Sequence, residues 1–138
     1  SWYSAQMKDK TLVFLKDNDL IHVVCDEPQA GSGSVPFVPV ATHDKVLVRI
    51  HGRNVHGWRN IGHAENWRKV RFLYDYNEEE LQQLSEQVRL LNKQAKHVVV
   101  VFNNNSGGHA AKNAKRMQQI LQIEFENLAP KQLGLFGE

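Results

Sequence analysis

The 138-residue sequence has one cysteine, no long apolar run and almost no net charge. The lone Cys25 excludes an internal disulfide and a cysteine-built zinc cluster, and it suits a reducing compartment, so the cytoplasm is the expected location. The longest apolar stretches, residues 12–15 and 98–102, fall far short of the ~20 residues a membrane-crossing helix needs. The first ten residues also lack the apolar centre of a secretion signal, and no membrane partner is expected. A net charge of +2 does not by itself announce a nucleic-acid partner, so any charge argument must be local. Neither HExxH nor another recognised ligand spacing occurs, although His51, His56 and His63 stand close in sequence and Asp26, Glu27 and His109 are free to approach them. No metal site is assigned, and no motif names a cofactor.

What is present is the composition of an ordinary water-soluble protein, 41% hydrophobic and 23% charged, in a length that suits one domain. Residues 4–18 place Met7, Thr11, Phe14 and Leu15 on one helical face, and Asn18 is suited to the left-handed conformation that ends a helix. Residues 20–28 form a valine-rich apolar run ending in two carboxylates and a proline, as a buried parallel strand does, with Cys25 expected in the core. Glycine, serine and proline make residues 29–39 a loop. A second strand is expected at Lys45–Ile50, a third at His97–Phe102, and a last helix follows through Ala110, Ala114, Met117 and Leu121. Between them, Asn77 and Glu80 have the spacing of a capping box, and Leu81, Leu84, Val88 and Leu91 continue at helical spacing to about Lys93. The acidic residues Glu78, Glu79 and Glu80 are read as complements to the helix dipole. Residues 56–76 show no clean period.

The order helix, strand, helix-like excursion, strand, helix, strand, helix indicates an α/β fold with about three parallel strands and crossover helices. Strands buried on both faces need neighbours on both edges, so further strands are expected upstream, and the chain alone is expected to self-associate or pack poorly. The first residue is Ser, which fits a processed chain or a segment of a longer one.

In parallel α/β folds ligands gather at the carboxyl ends of the strands. Those ends carry Asp26 and Glu27, then Arg49, His51 and Arg53, then Asn103, Asn104, Asn105 and the pair Gly107 and Gly108 before a helix. Strand alternation is expected to put Arg49, His51 and Arg53 on one side, two guanidiniums flanking an imidazole, in outline an anion site. The two arginines have an alternative use in ion pairs with Asp26 or Glu27. His51 is open to three roles, as general acid or base, metal ligand or hydrogen-bond partner. Gly107 and Gly108 either present helix N–H groups to a phosphate or simply let the chain turn. From His43 to Phe72, seven Lys or Arg face only Asp44 and Glu65, with Trp58, Trp67 and Phe72 interleaved, a mixture that serves phosphate backbones and unstacked bases or else an anchored, solvated loop.

The segments VRIHGRN and VVVFNNNSGGHAAKNAKRMQQIL resemble the YecE-like family of bacterial and archaeal proteins, catalogued as a domain of unknown function. The likeness rests on Asp26 ending one strand, R-x-H-G-R from Arg49 to Arg53 ending the next, and F-N-N followed by glycine and an N-A helix from Phe102 to Ala114. It implies the C-terminal half of a TIM-barrel-like (β/α)8 fold over residues 1–127, starting after the fifth strand, since family members are whole barrels of roughly twice this length. A site at a barrel mouth draws on several strands, so the half chain alone is not expected to be active. The family's fold is similar to metal-dependent abasic-site endonuclease barrels, which implies a nucleic-acid reading by analogy. The insertion at residues 56–70 is longer than the resemblance predicts.

The tail, residues 128–138, is expected to be flexible, and Gln132, Leu133, Leu135 and Phe136 resemble the Q-L-x-L-F peptide that docks on bacterial DNA sliding clamps. Its alternative is to fold back as a cap. Two functions follow. The first is a phosphate- or nucleic-acid-binding barrel, with Arg49, Arg53, Asn103, Asn104, Gly107 and Gly108 holding phosphate, Asp26 and His51 nearest any proton transfer, and a clamp-tethering tail; its partners are DNA or RNA, the clamp, and the missing half-barrel or a second copy. A phosphodiester hydrolase falls under this reading. The second is a metabolic enzyme acting on a small phosphorylated or carboxylated substrate with the same residues.

Overall fold

In the computed structural model, which describes residues 3–59 and 70–124, the chain runs α1 (Lys8–Asp17), β1 (Val23–Asp26), β2 (Lys45–Ile50), α2 (Val55–Arg59), α3 (Glu78–Asn92), β3 (His97–Phe102), a 3-10 turn (Ser106–Gly108) and α4 (His109–Leu121). The three strands are parallel in the order β1-β2-β3. Valine dominates all three, and its branched side chain fits a pleated, packed surface. Helix α3 begins where its capping box demands: Asn77 Oδ1 accepts the Glu80 N–H at 2.9 Å and the Glu80 carboxylate accepts the Asn77 N–H at 3.0 Å.

Alternation gives the sheet two different faces. Val24, Val46, Val48 and Ile50 are buried on one of them and meet Leu81, Leu84, Val88 and Leu91 of α3 and Met117 of α4, each full burial contributing roughly 1.5–3 kcal/mol. The opposite face carries Val23, Cys25, Leu47, Arg49, Val99 and Val101, and Val99 is 54% exposed in mid-strand. That face is only partly covered among the described residues: Val99 and Val101 are exposed, while Val23, Cys25, Leu47 and Arg49 are half-buried. Cys25 is therefore half-buried on the open face rather than in the core, a correction that follows from its register with Arg49.

Three local expectations change. Met7 and Phe14 are exposed while Thr11 and Leu15 are buried, because α1 starts only at Lys8 and Phe14 lies roughly 60° around the helix from Thr11 and about 100° from Leu15. Asn18 does not adopt the left-handed conformation; its side-chain amide donates to the Phe14 carbonyl, and Asp19 takes the positive φ of 54°. Residues 29–39 form the expected loop, and no helix-like excursion joins β1 to β2. Residues 27–44 cross over as a loop, pinned where Glu27 Oε1 accepts the Val35 N–H at 2.7 Å and Ser34 Oγ accepts the Ala30 N–H at 3.0 Å. Among the described residues no helix is long and apolar enough to cross a membrane.

Candidate functional site

The strand ends divide the R-x-H-G-R segment between two environments. Cys25, Arg49 and Val101 are register partners on the open face, whereas Asp26, Ile50 and Phe102 are partners on the helix-facing side. Gly52 then takes φ +91° in a buried turn where a Cβ would sit 2.7 Å from Tyr74 Cβ, so only glycine fits and the strand's alternation stops there. Arg53 consequently leaves Arg49 and His51 and turns toward the helix side, which corrects the expectation that the three share one face.

On that side Arg53 donates from Nε and Nη2 to Asp26 at 2.9–3.1 Å and from Nη1 to Glu80 Oε1 at 3.2 Å. The Tyr76 hydroxyl donates to Asp26 Oδ2 at 2.5 Å and accepts the Gly52 N–H at 2.9 Å, and Tyr74 donates to Glu80 at 2.7 Å. Burial and then the Asp26 charge push the Tyr76 phenol well above its ordinary value. Burial alone would lower the Arg53 pKa, but its hydrogen bonds and charge pairing with Asp26 reverse that, and the net shift is upward. Burial, reinforced by Glu80, raises Tyr74 to about 12. Asp26 thus spends its lone pairs on Arg53 and Tyr76. A groove of about 430 Å³ runs beside this network, walled by Pro28, Phe37 and Val55.

The open side is built differently. Arg49 Nε donates to Asn103 Oδ1 at 3.2 Å, tying the ends of β2 and β3 together, and no described carboxylate lies within salt-bridge distance of its guanidinium. His51 is half-buried between Trp58 and Phe72, ring centroids 6.5 and 5.9 Å away, and its buried Nδ1 has no hydrogen-bond partner. Burial first, then the charges of Arg49 and Arg71, hold the His51 pKa below its ordinary 6.5, with Asp26 opposing. The Arg71 guanidinium lies 3.7 Å over the Trp58 ring.

The third strand end separates its residues in the same way. Asn104 is fully buried, donating to the Tyr74 carbonyl and to Asn113 Oδ1, while Asn103 faces Arg49. Gly107 and Gly108 both have φ near +78° and lead into α4, whose first turn has no side-chain cap. Gly107 is boxed in by His109 and Leu73, whereas the space around Gly108 is open. Among the described residues no three His, Cys, Asp or Glu side chains converge as a metal site would require. Gln132, Leu133, Leu135 and Phe136 lie outside the described residues, as do His63, Trp67, Arg68 and Lys69 of the basic stretch.

A groove of about 770 Å³ lies elsewhere, between the start of α3 and α4. Four of its charged groups are paired within the chain, Lys112 with Asp75 at 2.9 Å and Arg116 with Glu78 at 2.6 Å. Sequence reading did not single out Tyr76, whose phenol joins Asp26 to the glycine turn; an aromatic just before a helix cap carries no distinctive signal. It also read Glu80 only as a capping-box partner and helix-terminal charge, whereas Glu80 serves Arg53 and Tyr74 as well.

The profile of the family described as "Protein of unknown function DUF72" matches residues 1–134. The chain is 52% identical to the UPF0759 protein YunF of Bacillus subtilis over 137 residues, 99% of this chain and 49% of that protein. A crystal structure of a DUF72 family protein from Enterococcus faecalis superposes with a TM-score of 0.85 at 46% identity, covering 96% of this chain and 48% of that one. One from Thermotoga maritima gives 0.72 at 36% identity, covering 82% and 41%. The chain therefore spans about half the length of the relatives it matches.

Proposed function

The chain belongs to the DUF72 family, and on that premise we propose that its strand ends bind a small phosphorylated or carboxylated ligand through Arg49. The observation that carries this reading is the contrast between the two guanidiniums of one motif. Arg53 is consumed by Asp26 and Glu80, while Arg49 holds only an amide oxygen and keeps its terminal nitrogens without a described carboxylate. A half-buried guanidinium in that condition favours an anion, with bidentate geometry suited to phosphate or carboxylate. His51, kept neutral near pH 7 beside it, supplies a nitrogen able to take or return a proton at a bound ligand. Asn103 orients Arg49. Asp26 acts in this reading as a positioning residue through Arg53 and the Gly52 turn.

The three-stranded layer with one open face is in this reading the C-terminal half of a (β/α)8 barrel of the YecE-like kind, and the open face its inner wall. The other half-barrel is then its principal partner. Calorimetric titration with inorganic phosphate and with citrate tests the anion site. Binding of roughly millimolar strength is expected, and Arg49→Gln abolishes it without altering the near-UV spectrum. Equal binding by wild type and Arg49→Gln would overturn the reading.

A second reading concerns the tail. The spacing of Gln132, Leu133, Leu135 and Phe136 supports docking on a sliding clamp in the cytoplasm, and with it a DNA-maintenance role. A labelled peptide of residues 128–138 titrated against a bacterial clamp tests it; binding lost in Leu135→Ala and Phe136→Ala is expected, and no binding removes the reading.

A further inference from the structure

Trp58 and Phe72 are large apolar rings that the hydrophobic core does not use. The core is assembled on the helix-facing side of the sheet from strand valines, Ile50 and the leucines of α3, and neither ring belongs to it or packs against it. They sit at the strand ends instead, 6.1 Å apart and edge to face, and both contact His51. Arg71 lays its guanidinium 3.7 Å above the Trp58 ring and 5.1 Å from that of Phe72. A half-buried indole whose face already receives a flat π-system at stacking distance has the shape and electron distribution that also receive a nucleobase. Arg71 occupies that face in this structure, so a base stacked on Trp58 takes its place, and the displaced guanidinium is suited to the base's outer side, since guanidinium planes stack on bases as they do on indole.

His51 connects this aromatic wall to Arg49. The two residues are next-but-one at the end of β2, and His51 touches both rings, so an anion at Arg49 and a flat ring at Trp58 fall within one ligand's reach. A simple sugar phosphate or a small carboxylate would use Arg49 and leave the ring cluster idle. We propose that the ligand is a nucleotide unit, its phosphate at Arg49 and its base stacked against Trp58. This rests on the anion-binding reading above and adds the ring to it. The same unit occurs as a free mononucleotide and as the phosphorylated end of a single strand.

The test is calorimetric titration of the full chain with inorganic phosphate, ribose 5-phosphate, adenosine 5′-monophosphate and a 5′-phosphorylated oligoadenylate, each at a low and a high ionic strength. The mononucleotide is expected to bind about tenfold more tightly than ribose 5-phosphate, the increment of one stacked base. Trp58→Leu removes that increment, Trp58→Phe keeps part of it, and Arg49→Gln removes binding of all four. Adenine H2 and H8 resonances are expected to move upfield on binding to wild type and not to Trp58→Leu, a ring-current signature that a purely structural Trp58 would not produce. Tighter, steeply salt-dependent binding of the oligonucleotide identifies the strand end as the source, and equal binding identifies the free nucleotide. If phosphate and ribose 5-phosphate bind through Arg49 but the base adds nothing, the nucleotide inference falls and the anion site stands. If none of the four binds, both fall.

Discussion

Arg53 clasps Asp26 with two nitrogens, Nε at 3.1 and 3.0 Å from the two carboxylate oxygens and Nη2 at 2.9 Å from one of them. The pair joins the end of β1 to the turn after β2, and the Asp26 side chain is only 7% exposed. Its geometry makes it a brace for the site rather than a free catalytic carboxylate.

Removing the cation should therefore cost stability. Arg53→Ala is expected to destabilise the fold by about 2 kcal/mol, less than a fully buried pair because a third of the Arg53 side chain is exposed. Urea unfolding measures it, and an unchanged midpoint would show the clasp to be ornamental.

Tyr76→Phe deletes one oxygen and strands two partners, the Gly52 N–H and one oxygen of Asp26. A loss of about 1–3 kcal/mol is expected. Hydrogen exchange should accelerate most at the Gly52 amide, and uniform acceleration across the sheet would contradict the local role.

Gly52→Ala is expected to be at least as damaging, about 2 kcal/mol or more, since a side chain there meets both an unfavourable φ of +91° and Tyr74 Cβ at 2.7 Å. Thermal unfolding of the variant checks this. A Tm within a degree of wild type would mean the turn relaxes freely.

Acid should weaken the fold in the histidine range. His22 is buried, its Nδ1 bonded to the Val40 carbonyl and its Nε2 to the Tyr3 hydroxyl, and burial holds its pKa below 6.5. Between that lowered value and 6.5 the unfolded chain binds the extra proton, so stability is full above about pH 6.5 and declines as pH falls below it. His51 shifts in the same direction and adds to the slope. Urea midpoints from pH 7.5 down to 5 should fall for wild type and fall less for His22→Gln; parallel curves would exclude His22 as a contributor.

Sequence reading fared best where a local rule suffices. The Asn77 and Glu80 spacing located α3, and short apolar runs rich in valine located β2 and β3 at their observed limits. It failed where one residue changes the geometry of the next. Strand alternation grouped Arg53 with Arg49 and His51 because a sequence does not state that Gly52 will take a positive φ. Cys25 looked like core because an apolar strand is silent about whether its second face has a neighbour. The alliance of Trp58, Phe72 and Arg71 with His51 spans residues well apart in the chain, and only the fold brings it about.

The placement of β2 between two partners has a consequence for how the chain assembles. Val23 meets Leu47 and Lys45 meets His97, so both pairings of the central strand join distant parts of the chain, the second across more than a third of its length. Contacts within α3, β3 and α4 are comparatively local, and that unit is the natural place for folding to begin, with β2 and then β1 added after loop closure. Closure entropy grows only with the logarithm of loop length, about 0.6 kcal/mol per doubling. Lengthening the 27–44 crossover by a few residues would therefore change stability little, so long as the Glu27 and Ser34 hydrogen bonds that pin it are kept.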